Sequence, residues 1–196
     1  MKKVFVPACV IGLAIATPDE GAGATYSQDF DGFPNGTTDL GDGSVMAGDA
    51  NIQNNALQLT QLGNSDSTSS FSIPGFPDSN LGWTATFDVT ITAGGGPPGS
   101  GMSFNYGQAT LGQLGSGEEG MAGIDGIDTN VSFEIDSFDL DSFGGVRIAE
   151  VADGEDTTLE NSVGQIVNPG TTVTGQVMIQ FYISKTLMGW IGPIDA

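Results

Sequence analysis

The sequence predicts an all-β domain, a sandwich or a barrel made of short strands joined by many turns. Glycine accounts for 31 of the 196 residues, and this is more than twice its usual share of about 7%. Most of the glycines fall between short apolar runs, and no long segment shows the apolar period of an amphipathic helix. Hydrophobic residues make up 38% and charged residues 14%, a balance typical of a folded domain rather than of a charge-rich disordered chain. The length suits one domain.

The N-terminal segment predicts a secretory signal peptide. A pair of lysines precedes an uncharged apolar run from Val4 to Ala16, which matches the charged and apolar regions of such signals. The run is shorter than the ~20 apolar residues that span a bilayer. We expect cleavage after Ala24, so that residues 1–24 form the signal and residues 25–196 form the exported domain. The mature protein is then secreted or on the cell surface, without insertion into the membrane.

The rest of the chain predicts a series of strands bounded by Gly, Asn, Asp, Pro and Ser. The clearest is Thr84–Thr92, because its odd-numbered residues are apolar and its even-numbered residues are polar, as in a strand with one buried face. The last stretch, Met188–Ala196, fits neither a turn nor a complete closing strand, and a sandwich that lacks its last strands would offer a sheet edge for self-association. The predicted strands are Tyr26–Phe30, Ala56–Thr60, Ser69–Ile73, Thr84–Thr92, Gly101–Tyr106, Val131–Phe138, Val146–Val151 and Thr172–Ser184.

The charge balance excludes several functions. The chain has 24 Asp and Glu residues against 4 Lys and Arg, one Cys and no His. A nucleic-acid partner needs clustered basic residues that displace counterions, and this chain has none. A thiolate or His-ligated zinc site is excluded for lack of ligands. Cations, sugars and other proteins are the partners that this composition allows.

The segment Phe133–Asp141 holds the densest group of acidic residues. Along an extended strand Glu134 and Asp136 point to the same side, and Asp139 and Asp141 follow at the strand end or in the next turn. Carboxylates this close repel one another unless a cation, a shared proton or water screens them. Calcium prefers such oxygen ligands. The sequence leaves two alternatives, a calcium site or a metal-free polar strand face with acidic turn residues.

The same carboxylates allow an enzymatic alternative. A retaining glycosidase needs two carboxyl groups about 5–5.5 Å apart, and here Glu134 would be the nucleophile and Asp139 the acid/base. Sugar-cleaving grooves also stack sugar rings on aromatic residues. The two tryptophans, Trp83 and Trp190, are expected in the core instead. We therefore expect a non-catalytic protein.

Four stretches, in this order along the chain, carry a family likeness: Tyr26-Ser27-Gln28-Asp29-Phe30, Asn55-Ala56-Leu57-Gln58-Leu59-Thr60, Gly99-Ser100-Gly101-Met102-Ser103-Phe104-Asn105-Tyr106-Gly107 and Val131-Ser132-Phe133-Glu134-Ile135-Asp136-Ser137-Phe138. Together they resemble the concanavalin A-like lectin/glucanase superfamily, especially the legume-lectin-like domains of secreted bacterial proteins. The resemblance implies a two-sheet antiparallel jelly-roll sandwich, an extracellular location and carbohydrate binding.

The resemblance also implies roles for individual residues. It implies that Glu134 and Asp136 are metal ligands and that the backbone carbonyl of Phe138 binds calcium. The calcium-binding Asn of the family would fall on Leu140, so Asp139 or Asp141 would replace it as a ligand. In the sugar-binding stretch, Ser100 stands where the family has an Asp, and Gly101 and Asn105 complete the expected carbohydrate site. The expected function is a secreted lectin-like domain that binds glycans or cell-surface polymers. The alternative is a structural or adhesive sandwich without a specific sugar site.

Overall fold

The computed structural model describes residues 14–16, 24–60, 67–77, 79–92, 101–115, 131–136, 145–152, 155–163, 170–182 and 187–193. Within these residues the secondary structure is β-strand, apart from one 3-10 turn at Ser79–Leu81. All the strand pairs are antiparallel. The predicted all-β class is therefore confirmed.

Twelve strands are described, numbered in chain order. They are β1 (Ala14–Ala16), β2 (Val45–Gly48), β3 (Asn51–Gln53), β4 (Ala56–Gln58), β5 (Ser69–Ser72), β6 (Trp83–Thr92), β7 (Gly101–Tyr106), β8 (Val131–Asp136), β9 (Gly145–Ala152), β10 (Glu155–Val163), β11 (Thr172–Phe181) and β12 (Leu187–Pro193). The first sheet has the order β1-β6-β11-β12, and the second sheet has the order β10-β9-β8-β7. Two small sheets, β2-β5 and β3-β4, complete the described part of the fold.

The two four-stranded sheets share one apolar core. The alternation predicted for β6 is confirmed, since Trp83, Ala85, Phe87, Val89 and Ile91 are all buried. Aromatic rings of β6 meet rings of β7 across the core: the Trp83 ring lies 5.4 Å from that of Phe104 and 5.1 Å from that of Tyr106. Phe133 and Ile135 of β8 belong to the same buried cluster. Packing of two antiparallel sheets over a common core is the arrangement of a β-sandwich.

The prediction of a strand at Tyr26–Phe30 is wrong. Apart from an isolated bridge at Tyr26, the segment has no strand structure, and Phe30 has a positive φ of 62°. Side-chain oxygens capture its backbone amides, because Gln28 Oε1 accepts from Phe30 N and Asp29 Oδ1 accepts from Asp31 N, both at 3.0 Å. Such local bonds replace a strand ladder. Phe30 is nevertheless fully buried against Phe71, with ring centroids 5.8 Å apart.

Residues 187–193 form a strand, so the interpretation of Met188–Ala196 as neither a turn nor a complete closing strand is wrong for residues 188–193. β12 pairs with β11 from Gly175↔Pro193 to Phe181↔Leu187. Two glycines and a proline weakened the sequence signal. Gly189 is needed for packing, since a Cβ there would overlap the ring of Phe133 on the second sheet. β10 was also missed, because its sequence is mostly polar.

Ala14–Ala16 pairs with Thr84–Thr86 as β1, at the edge of the first sheet. This strand lies inside the predicted signal peptide, and the division at residue 24 stays a prediction. No helix in the described ranges has the length and apolar character that crossing a membrane requires.

Candidate functional site

The structure brings together residues from the two stretches that were predicted separately to bind sugar and metal. Gly101 and Asn105 lie on β7, and Glu134 and Asp136 lie on β8, its direct neighbour. The register pairs Gly101 with Asp136. Four other predicted site residues, Ser100, Phe138, Asp139 and Asp141, lie outside the described residues.

One side of the β7–β8 pair faces the core and the other is polar. Phe104 pairs with Phe133, and both belong to the core or pack against it. Because neighbouring side chains along a strand point to opposite faces, the alternate residues share the other face. That face carries three cross-strand pairs, Gly101↔Asp136, Ser103↔Glu134 and Asn105↔Ser132, of which the last two are polar on both strands. We call Ser103, Asn105, Ser132 and Glu134 the polar face of β8.

The β8 residues of the polar face are buried, although they point away from the core, whereas Ser103 and Asn105 of β7 are half-buried. Ser132 is 0% exposed and Glu134 is 1% exposed. Asn105 Nδ2 donates to Ser103 Oγ at 2.8 Å. Within the part of the chain that the structure describes, neither Asn105 Oδ1 nor Ser132 Oγ has a hydrogen-bond partner, although both atoms are buried. An amide oxygen can only accept, so Asn105 Oδ1 requires a donor or a cation.

A buried carboxylate such as Glu134 is costly unless a counter-charge and hydrogen bonds accompany it. The backbone register places Arg147 of β9 directly opposite Glu134. Because the chain has only 4 Lys and Arg residues, a basic residue at this position is a candidate for the counter-charge of Glu134. A bound cation is the other means of balancing the charge. Sequence reasoning did not connect Arg147 to the site, because the pairing of β8 with β9 cannot be read from either segment alone.

The donor atoms of the polar face fit calcium better than a transition metal. A carboxylate, an amide oxygen and a hydroxyl are hard oxygen ligands, which calcium prefers. Among the described residues, no group of three or more Asp, Glu, His or Cys residues could hold a metal ion. Of the four carboxylates predicted around calcium, Asp139 and Asp141 fall in residues that the structure does not describe.

Gly101 has a structural reason to be glycine. Its φ is 151°, in a region that residues with a side chain rarely adopt. This conformation occurs where β7 begins, next to Ser100 in the chain and opposite Asp136 in the register. A substitution at Gly101 would therefore change the backbone as well as any contact to a ligand.

A second polar cluster, around Asp42, was missed by sequence reasoning. Asp42 accepts hydrogen bonds from Tyr26 Oη at 2.9 Å, from Gln28 Nε2 at 3.3 Å and from Ser44 N at 2.9 Å. Burial, with the neighbouring Asp42 carboxylate, raises the pKa of Tyr26 to about 12. Partial burial opposes ionisation of Asp42, but the hydrogen bonds from Ser44, Tyr26 and Gln28 outweigh it and lower the pKa of that carboxyl. The cluster ties residues 26–28 to the turn before β2, which is a structural role.

An open polar depression of about 350 Å³ lies near β3. Its side chains are bonded to one another: Gln53 Nε2 donates to Asn51 Oδ1, and Asn51 Nδ2 donates to the backbone oxygen of Asp49, both at 2.8 Å. No residue predicted for sugar or metal binding lines it. These internal bonds explain the depression as part of the β3–β4 hairpin.

Comparison with protein-family models, with curated proteins and with solved structures gives no match. The fold itself defines the class, an all-β protein of packed antiparallel sheets. Any further assignment has to come from the chemistry of the residues described above.

Proposed function

We propose that this protein is a secreted, non-catalytic, lectin-like domain of concanavalin-like jelly-roll type that binds glycans or cell-surface polymers with the support of calcium. The observation that carries the proposal is the register of β7 and β8. It sets Gly101 and Asn105, from the expected sugar-binding stretch, beside Glu134 and Asp136, from the expected metal-binding stretch. Separate stretches of sequence thus contribute to one face.

The enclosure of Glu134 decides how this residue would act. At 1% exposure its carboxylate cannot touch a sugar that approaches from solvent, so Glu134 supports the site rather than contacting the ligand. Glu134, Asn105 Oδ1 and Ser132 Oγ would hold calcium. The charge of the ion would neutralise the carboxylate and satisfy the two oxygens. Gly101 is half-buried, and together with Ser100 it would form the contact to the glycan.

The same enclosure supports a non-catalytic function. A retaining nucleophile must reach the anomeric carbon of the substrate. A side chain that is buried on the polar face of β8 is poorly placed for that attack. The assignment of Glu134 and Asp139 as a catalytic pair predicts polysaccharide cleavage that Glu134→Gln abolishes. We expect no cleavage by the unmodified protein.

The first experiment measures thermal unfolding of the purified protein with millimolar calcium and with excess chelator, followed by a glycan array under both conditions. Calcium that binds only the folded state raises the Tm by mass action. We expect a higher Tm and stronger glycan binding with calcium. Glu134→Gln should remove the calcium dependence of both. The matched control is Asp31→Asn, which removes one exposed carboxylate outside both four-stranded sheets and should keep both.

Two results would count against the proposal. A folded protein that binds no glycan in either condition would leave the structural or adhesive sandwich as the better interpretation. A Tm that does not respond to calcium, but that falls when Arg147→Gln is introduced, would identify Arg147 as the counter-charge of Glu134. The calcium part of the proposal would then be wrong, while glycan binding would still be decided by the array.

A further inference from the structure

A second surface, on the outer side of the first sheet, carries an ordered array of hydroxyl and amide groups. The even-numbered residues of β6 and β11 point away from the core, because the odd-numbered residues of both strands, apart from the half-buried Val173, are buried. The register pairs them directly across the two strands. We call this set the outer face; it consists of Thr84, Thr86, Asp88, Thr90, Thr92, Thr172, Thr174, Gln176, Met178 and Gln180.

The side chains of the outer face hold one another in place. Thr90 and Thr174 share a hydrogen bond of 3.3 Å between their hydroxyls, and Thr92 and Thr172 share one of 3.1 Å. Gln176 Nε2 donates to Asp88 Oδ1 at 3.0 Å. Threonine also has few χ1 rotamers. Binding of a ligand to this array would therefore cost the protein little side-chain entropy.

The outer face is nearly neutral, although the protein carries a formal charge of −20. Asp88 is its one charged residue, and that carboxylate is engaged by Gln176. The strand geometry repeats the polar groups about every 6.8 Å along a strand and about every 4.8 Å across the pair. The result is a regular, nearly neutral set of groups, most of which can both donate and accept hydrogen bonds.

One end of the outer face is apolar and aromatic. Tyr182, which follows β11, is 37% exposed, and Met188 of β12 is 42% exposed. The hydroxyl of Tyr182 donates to Gln180 Oε1 at 2.9 Å, so the ring is fixed beside the polar array.

We propose that the outer face docks a neutral, extended polysaccharide. Regular hydroxyl and amide groups suit the repeated hydroxyls of such a chain, and Tyr182 offers a ring for stacking on a sugar. Polyanions are disfavoured because the net charge of the protein repels them. A protein partner is a poorer fit, since the centre of a protein interface is rich in apolar and aromatic residues, whereas threonines fill the centre of this face. The surface uses none of the residues of the polar face of β8, so it is a second site.

The test is co-sedimentation of the purified protein with microcrystalline cellulose and with chitin, each with and without chelator. Carboxymethyl-cellulose resin is the acidic comparison. We expect the protein to sediment with at least one neutral solid, not with the acidic resin, and equally well in chelator. The double substitution Thr90→Val with Thr174→Val removes two hydroxyls at nearly constant volume. It should weaken binding about fivefold or more, as expected for one or two lost hydrogen bonds.

Tyr182→Ala provides a second variant at the aromatic end, with the same expected loss. The matched controls are Thr110→Val and Leu111→Ala, which change an exposed threonine and an exposed apolar residue away from this sheet. The proposal is overturned if the folded protein sediments with neither neutral solid, or if the controls lose as much binding as the outer-face variants. Concentration-dependent self-association that Thr90→Val with Thr174→Val abolishes would overturn it too, because the occupant would then be a second copy of the chain.

Discussion

The contact between Gly189 and Phe133 tests the sandwich directly, because it joins the last strand of the first sheet to the centre of the second. A Cβ built on Gly189 would lie 2.5 Å from Cδ2 of Phe133 and would also overlap Cε2. Phe133 is 1% exposed and lies in the core cluster, so its ring has little room to move. We predict that Gly189→Ala destabilises the protein.

The size of the effect follows from two opposing contributions. Overpacking a core costs about 1–3 kcal/mol. Replacing glycine by alanine inside a strand recovers about 0.5–1 kcal/mol, because the unfolded chain loses freedom. Because the Cβ would overlap two atoms of a buried ring, the cost lies in the upper part of its range, and the net loss in the free energy of unfolding is about 1–2 kcal/mol. At about 2–4 °C per kcal/mol for a chain of this size, the Tm should fall by about 2–8 °C. The control Gly75→Ala meets no atom within 4 Å and should leave the Tm unchanged or slightly raised.

Urea unfolding of a double-mutant cycle measures the contact itself. Phe133→Leu also destabilises the core when made alone, but it frees the space that the methyl group of Gly189→Ala needs. The double variant should therefore lose less stability than the sum of the single variants, with a coupling of about 0.5–3 kcal/mol. Strictly additive losses, or a stable Gly189→Ala protein, would mean that β12 does not pack on β8 as described.

Three further substitutions test local features. Asp42→Asn removes a carboxyl whose pKa is lowered by folding. Such a group stabilises the fold at pH values above its unfolded pKa of about 3.9, so the variant should have a lower Tm than the unmodified protein at neutral pH. The difference in Tm should shrink as the pH falls further below about 3.9. Tyr26→Phe removes a phenol whose pKa is raised to about 12. A group whose pKa is raised by folding stabilises the fold fully at pH values below its unfolded pKa of about 10, and this stabilisation is lost as the pH rises towards the folded pKa. The Tm of the unmodified protein should therefore fall in this alkaline range, and the Tm of the variant should fall less. Gly48→Ala should cost at least about 1–2 kcal/mol in urea unfolding, because Gly48 has a φ of 68° and a Cβ there would overlap the carbonyl of Thr68; a loss no larger than that of Gly75→Ala would contradict the described turn.

The strands that could be predicted from sequence are those with a strong demand for burial. β6 was predicted to within one residue because five buried side chains alternate along it. β10 and β12 were missed for a physical reason. Each pairs with a single neighbour in the described sheets, and an edge strand with less surface to bury can be polar or rich in glycine. The segment Tyr26–Phe30 was mistaken for a strand because burial of its aromatic residues is achieved there by turns instead.

The candidate site was predictable in its residue types but not in its assembly. Glu134 and Asp136 could be placed on one side of a strand from their spacing alone. Their position beside Gly101 and Asn105 depends on the register between β7 and β8, which is fixed by long-range packing of the apolar residues on the other face. Ser132 could not be recognised as part of the site, since a serine in a strand carries no signal until its burial is known.

Calcium and Arg147 are alternative sources of the positive charge that would stabilise an ionised Glu134 on the central strand β8. They have different consequences for function. If Arg147 balances Glu134, the polar face is complete without any ligand, and a constant ion pair would fix the β7-β8-β9 register as part of a structural sandwich. If calcium does so, occupancy of the polar face depends on the calcium concentration of the medium. The effect of Glu134→Gln on the calcium dependence of the Tm therefore decides whether the polar face holds an ion, and the glycan array decides separately whether the protein binds sugar. The outer face of β6 and β11 has no buried charge of this kind. We therefore expect polysaccharide binding at the outer face to persist whether calcium or Arg147 balances Glu134.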